Sequence, residues 1–108
     1  VIRPIELLPR ARQQLFEAAR WWRDHRSAEQ AARWLAGMQS TLAELESDAE
    51  RFPLAAEAEA VGVPIRQIHF GLSHRPTHWI VFEVEDDRVV VHAIRHLAQG
   101  DLTPEDVP

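Results

Sequence analysis

The sharpest pattern in the chain lies between Thr77 and His96. Two runs rich in β-branched and aromatic residues, Thr77–Val84 and Val89–His96, flank the acidic pair Asp86-Asp87. This is the signature of a β-hairpin with a tight turn. Setting Glu85 opposite Arg88 places Ile80, Phe82, Val84, Val89, Val91 and Ala93 on one face, because side chains alternate along strands. The other face takes Trp79, Val81, Glu83, Val90, His92 and Ile94. The first face is wholly apolar and needs a cover. The second is mixed and is left to water or a partner.

The upstream chain supplies that cover. Arg3 to Leu8 reads as a short strand, with Pro4 at its start, as suits an edge or a first position. Pro9 opens a helix, where its missing N–H costs nothing. This first helix runs to about His25, with Leu15, Ala18, Ala19 and Trp22 as its apolar stripe. Ser27 with Gln30 is a capping-box signature for a second helix. There Ala28, Ala31, Leu35, Met38, Leu42 and Leu45 recur at three-four spacing. Almost no loop separates the two helices, so they pack as an antiparallel hairpin. Trp21 and Trp34 fall beside these stripes, read either as half-buried border residues or as anchors for a partner. Arg51-Phe52-Pro53 ends the helical half.

Leu54 to Val63 is rich in Ala and Glu and lacks a clear period; it reads as a mobile loop or a poor helix interrupted near Gly62 and Pro64. Ile65 to Leu72 is a strand by composition, and Gly71 to Pro76 the turn into the hairpin. The tail, Leu97 to Pro108, is acidic, and Thr103-Pro104-Glu105-Asp106 resembles a helix start. The order strand, two helices, three strands gives an α+β domain, β-α-α-β-β-β, whose antiparallel sheet is covered on one face by a helical hairpin.

Composition narrows the classes. At 108 residues the chain forms one domain. No apolar run approaches the roughly 20 residues that span a bilayer, and no leader with a cleavage site is visible, so a cytoplasmic location is expected. Cysteine is absent, which removes disulfides and thiolate metal sites. The net charge of −5 argues against sequence-independent nucleic-acid binding, which draws on phosphate neutralisation. That charge is unevenly spread. Residues 3 to 33 hold seven Arg against four acids, and residues 34 to 60 one Arg against six acids. Every cation is Arg, the residue suited to bidentate contacts with carboxylates and phosphates.

Six histidines raise the question of a metal. His92 and His96 share a face but lie about 13 Å apart by strand rise, too far for one zinc. His74 and His78 flank a turn, yet no carboxylate or thiolate completes a set. No metal and no cofactor is expected. Ser27, Ser40 and Ser47 belong to the second helix, and Ser73 has no nucleophile-elbow glycines, so no Ser-His-Asp triad is read.

The ordered signals resemble the RelE/ParE superfamily, the toxins of bacterial type II toxin–antitoxin pairs. The resemblance rests on the N-terminal strand, the aromatic pair Trp21-Trp22, the Ala-rich start of the second helix and Phe52-Pro53. It continues through Ile65-Arg66-Gln67-Ile68, Ile80-Val81-Phe82, Asp86-Asp87-Arg88 and Val89-Val90-Val91, and closes with His96 and Asp101. It covers nearly the whole chain and implies one toxin domain over residues 1–108, an antitoxin partner, growth inhibition and a role in plasmid stabilisation.

Within the superfamily, RelE-like members cut mRNA on the ribosome with several basic residues on the open sheet face. Here Trp79 stands where an Arg is common, Gln67 and His69 lie near the basic places of the second strand, and Gln99 lies near that of a later Arg. Cleavage needs a base for the 2′-hydroxyl, positive charge for the phosphorane and an acid for the leaving oxygen. Arg66, His69, His92, Arg95 and His96 are the candidates for that chemistry, with Arg66 and Arg95 directed by alternation toward the core side. The resemblance leans instead to ParE-like members, non-enzymatic toxins that bind DNA gyrase. A degenerate member that keeps only antitoxin binding is the remaining alternative. Trp21, Trp34, Trp79, Arg12, Arg20 and Arg23 are then the candidates for partner contact.

Overall fold

The computed structural model describes residues 2–72 and 76–97. Its elements are β1 (Ile5–Leu7), α1 (Pro9–His25), α2 (Ala28–Asp48), a 3-10 turn over Ala49–Arg51, α3 (Ala58–Val61), β2 (Arg66–Phe70), β3 (His78–Val84) and β4 (Val89–His96). The expected order of major elements holds. Expectations for Ser73, for His74, for the tail helix and for residues 99 and 101 lie outside the described residues.

Pro9 occupies the first turn of α1, and no side chain caps its start. Arg23 sits in its last turn, where a cation meets the negative end of the helix dipole. Ser27 caps α2: its Oγ accepts a hydrogen bond from the Gln30 N–H at 3.1 Å. The buried line of α2 is Trp34, Met38, Leu42 and Leu45. It is rotated from the predicted seam, with Ala28 exposed and Ala31 and Leu35 only half-buried. Trp34 is therefore a core residue with no exposed surface, and the reading of it as a partner anchor is corrected. Positions 34, 38, 42 and 45 form a single row on a helix, and the indole stands at the N-terminal end of that row. Its ring meets Phe70 at 5.9 Å and His78 at 5.1 Å, both edge-on. Gly37 permits this approach, since a Cβ there would come within 2.9 Å of the Phe70 ring.

The sheet order is β1-β4-β3-β2. β2, β3 and β4 are antiparallel, but β1 runs parallel to β4, with Ile5 opposite Val89 and Leu7 opposite Val91. The sheet is mixed, where a purely antiparallel one was expected. Parallel neighbours require a long crossover, and the helical hairpin with β2 and β3 provides it. Arg88 ties the hairpin turn to β1 by pairing with both Glu85 and Glu6. Glu85 and Arg88 do oppose one another across the turn, the Glu85 N–H donating to the Arg88 carbonyl at 2.8 Å.

Beyond that turn the alternation breaks once. Phe82 pairs with Val91 but Val81 pairs with Ala93, so His92 is an extra residue in a β-bulge. One inserted residue exchanges the faces of everything after it. Ile94 joins Ile80, Phe82, Val89 and Val91 beneath the helices, against Ala11, Leu15, Met38 and Leu42. Ala93 moves to the opposite face with Trp79 and Val81. Both assignments reverse those expected from strict alternation.

The second sheet face is not bare either. Residues 54–65 fold back across it, and Ala55, Ala58, Val61 and Val63 pack on Trp79, Val81 and Ala93. The stretch without a period thus forms a single helical turn that ends at Gly62, whose φ of 75° is the left-handed geometry glycine adopts freely. Its backbone is anchored by the Ala55 N–H to the Ile65 carbonyl at 2.8 Å.

Candidate functional site

Two concave surfaces flank α1. On its outer side, a groove of about 340 Å³ runs between the helices over Phe16, Ala19, Ala31, Ala32 and Leu35, with Arg20 and Arg23 at the rim. The alanines keep the helices' facing sides shallow there, and Phe16 remains 54% exposed. On its inner side, a larger cleft of about 570 Å³ separates α1 from the end of the sheet, between Glu17, Trp21, Trp22 and Arg26 on one wall and His78 and His96 on the other. Gln14 closes its inner end by accepting a hydrogen bond from the Ile94 N–H at 2.8 Å, which satisfies β4 where β1 has stopped.

Trp21 is the exposed aromatic of this region, at 46%. It stacks on His25 at 4.7 Å, meets Trp22 edge-on at 5.5 Å and carries the Arg26 guanidinium 5.5 Å from its ring. The indole is thereby held rigid at low entropic cost, as suits an anchor. Across the cleft, His78 is buried between Trp34 and His96, with ring centroids 5.1 Å from each. Burial, aided by the neighbouring His96, pushes its pKa down to about 4, since the charged form loses hydration there.

The five nuclease candidates do not converge. Arg66 stands opposite Phe82 and donates to the carbonyls of Phe52 and Glu50, binding the chain that leaves α2. His96 faces the cleft beside His78. Arg95 lies opposite Trp79, on the face away from the helices, and not on the core side as alternation implied; the bulge is the reason. His69 also stands opposite Trp79, and His92 Nε2 lies 3.0 Å from Glu83 Oε1. The set is thus divided between two sheet faces, and β2 and β4 are held roughly 10 Å apart by the intervening strand.

Of the partner candidates, Trp21, Arg12, Arg20 and Arg23 are exposed. Trp79 is only 8% exposed beneath residues 54–65, so its role as a surface anchor is corrected along with that of Trp34. The segment that buries it had no periodicity from which to foresee a cover. Among the described residues no group of three or more His, Cys, Asp and Glu side chains could hold a metal ion.

A sequence model described as the ParE toxin of the type II toxin–antitoxin system, parDE, matches residues 5–100. The chain belongs to the ParE toxin family. A solved structure, the chromosomal ParDE toxin–antitoxin system from P. aeruginosa, superposes with a TM-score of 0.71 over 88% of this chain and 96% of that one. At 12% identity the likeness is one of fold. Among curated protein sequences none matches. Membership places the mixed four-stranded sheet and its helical roof within the ParE toxins, and no helix among the described residues is long and apolar enough to cross a membrane. What sequence reasoning missed was the inner cleft, because it depends on a bulge that no local signal marks.

Proposed function

We propose that this ParE-family chain is a toxin that inhibits growth by binding a protein target, with DNA gyrase the expected one, and that a cognate antitoxin neutralises it. The observation that carries the reading is the dispersal of the cationic and imidazole groups over two sheet faces. Phosphodiester cleavage needs base, acid and positive charge at one phosphate. Here Arg66 serves the loop after α2, and Glu83 engages His92. Binding surfaces, by contrast, are present on both sides of α1.

The antitoxin suits the outer groove. An amphipathic helix with acidic flanks would lay its apolar side on Phe16 and Leu35 and its carboxylates on Arg20 and Arg23. The test of the target is a supercoiling assay with purified gyrase and micromolar toxin. Inhibition relieved by the antitoxin is the expected result. Codon-spaced cuts in mRNA during translation in vitro, with gyrase unaffected, would replace this reading with the nuclease one.

A further inference from the structure

The bulge at His92 acts on the far end of the hairpin. The register at the turn, with Glu85 opposite Arg88, would carry His78 opposite Arg95. One extra residue moves the pairing on and sets His78 opposite His96. The Leu97 N–H donates to the Thr77 carbonyl at 2.9 Å, which makes His78 and His96 a non-hydrogen-bonded pair, the kind whose side chains approach most closely. Their ring centroids are 5.1 Å apart with the planes at 77°.

That spacing has a chemical reading. Two imidazoles on one tetrahedral zinc, each with Zn–N near 2.0–2.1 Å, hold their centroids roughly 5 Å apart. Nδ1 of His78 lies 2.8 Å from Thr77 Oγ1; an Nδ1–H donating to that hydroxyl leaves Nε2 as the ligand atom, the outer-shell support usual for a metal-bound imidazole. The same closeness disfavours an acid–base pair acting on RNA, because a phosphate would need to sit between the rings.

The geometry points to a two-histidine clamp, His78 and His96, for one divalent ion of the zinc or nickel class in the inner cleft. No third His, Cys, Asp or Glu joins them among the described residues, so water completes the shell and the site is an open one. Imidazole donors favour these ions over magnesium or calcium.

Titration calorimetry of the full chain with zinc chloride, then nickel chloride, at neutral pH tests this. The expected result is about one ion per chain. His96→Gln, at an exposed position, should weaken binding at least about tenfold with unchanged circular dichroism. His69→Gln, on the opposite sheet face, should leave binding intact. Histidine NMR resonances should shift for two rings only. No heat at millimolar zinc overturns the clamp, and so does binding that survives His96→Gln or that His69→Gln abolishes equally. Gyrase inhibition is a separate readout, and neither result bears on the other.

Discussion

Two tryptophans thirteen positions apart on the helical hairpin have opposite duties. Trp34 is fully enclosed by the sheet and Phe70, so Trp34→Ala should cost about 3–5 kcal/mol by combining lost transfer energy with a cavity. Trp21 is stacked but half in water, and Trp21→Ala should change stability by only about 0.5 kcal/mol while weakening partner binding. Urea denaturation separates the two, and equal losses would contradict this division. His78 adds a pH dependence. Its folded pKa of about 4 lies below its unfolded value, so between these the unfolded chain binds more protons than the folded one. Stability is therefore complete above the unfolded value and falls as pH drops toward 4. His78→Phe should flatten that part of the profile of denaturation midpoint against pH, even if it lowers the midpoint itself.

At the scale of elements, β4 shows what local pattern can and cannot convey. Its strand character, the turn at Asp86-Asp87 and the capped start of α2 were all legible, because each rests on neighbours in sequence. The seam of α2 was legible only to within one row, since half-buried Leu35 and buried Trp34 are adjacent and packing chose between them. The bulge was not legible: strict alternation sets Ala93 toward the core and Ile94 away from it, both residues being apolar, and only the fit of Ile94 beneath α1 reverses them. The parallel pairing of β1 is likewise set by topology and not by its three residues. A sharp expectation follows for β4. Deleting His92 removes the inserted residue without disturbing the pairs on either side, Phe82 with Val91 and Val81 with Ala93. The deletion variant should unfold cooperatively with its core intact, losing only the contact to Glu83. Collapse of the fold on deletion would show that His92 is part of the core. Gly62 gives the complementary case in the segment over Trp79. Gly62→Ala forces a Cβ into left-handed geometry and should cost about 1 kcal/mol, read as faster hydrogen exchange over 58–63 with the helices unchanged.

For the molecule as a whole, charge sorts the surfaces. Residues 3 to 33 carry a surplus of Arg while the chain totals −5, so α1 with the first turns of α2 is the positive part of an otherwise acidic protein. Fields of this kind act on encounter rates more than on final affinity, and they fade with ionic strength. The outer groove has Arg20 and Arg23 over an apolar floor, so its partner should associate faster at low salt and dissociate at a rate set by the floor. Arg20→Glu with Arg23→Glu should slow antitoxin association about tenfold or more at low salt, and the difference should shrink once the Debye length falls to about 3 Å near 1 M salt. Phe16→Ala should instead speed dissociation at every salt concentration. Stopped-flow association and surface-resonance dissociation rates distinguish the two, because a groove that is only a crevice between helices would show neither effect. The inner cleft should be indifferent to both changes, since α1 turns a different side toward it, and zinc titration of the doubly substituted chain checks that independence directly.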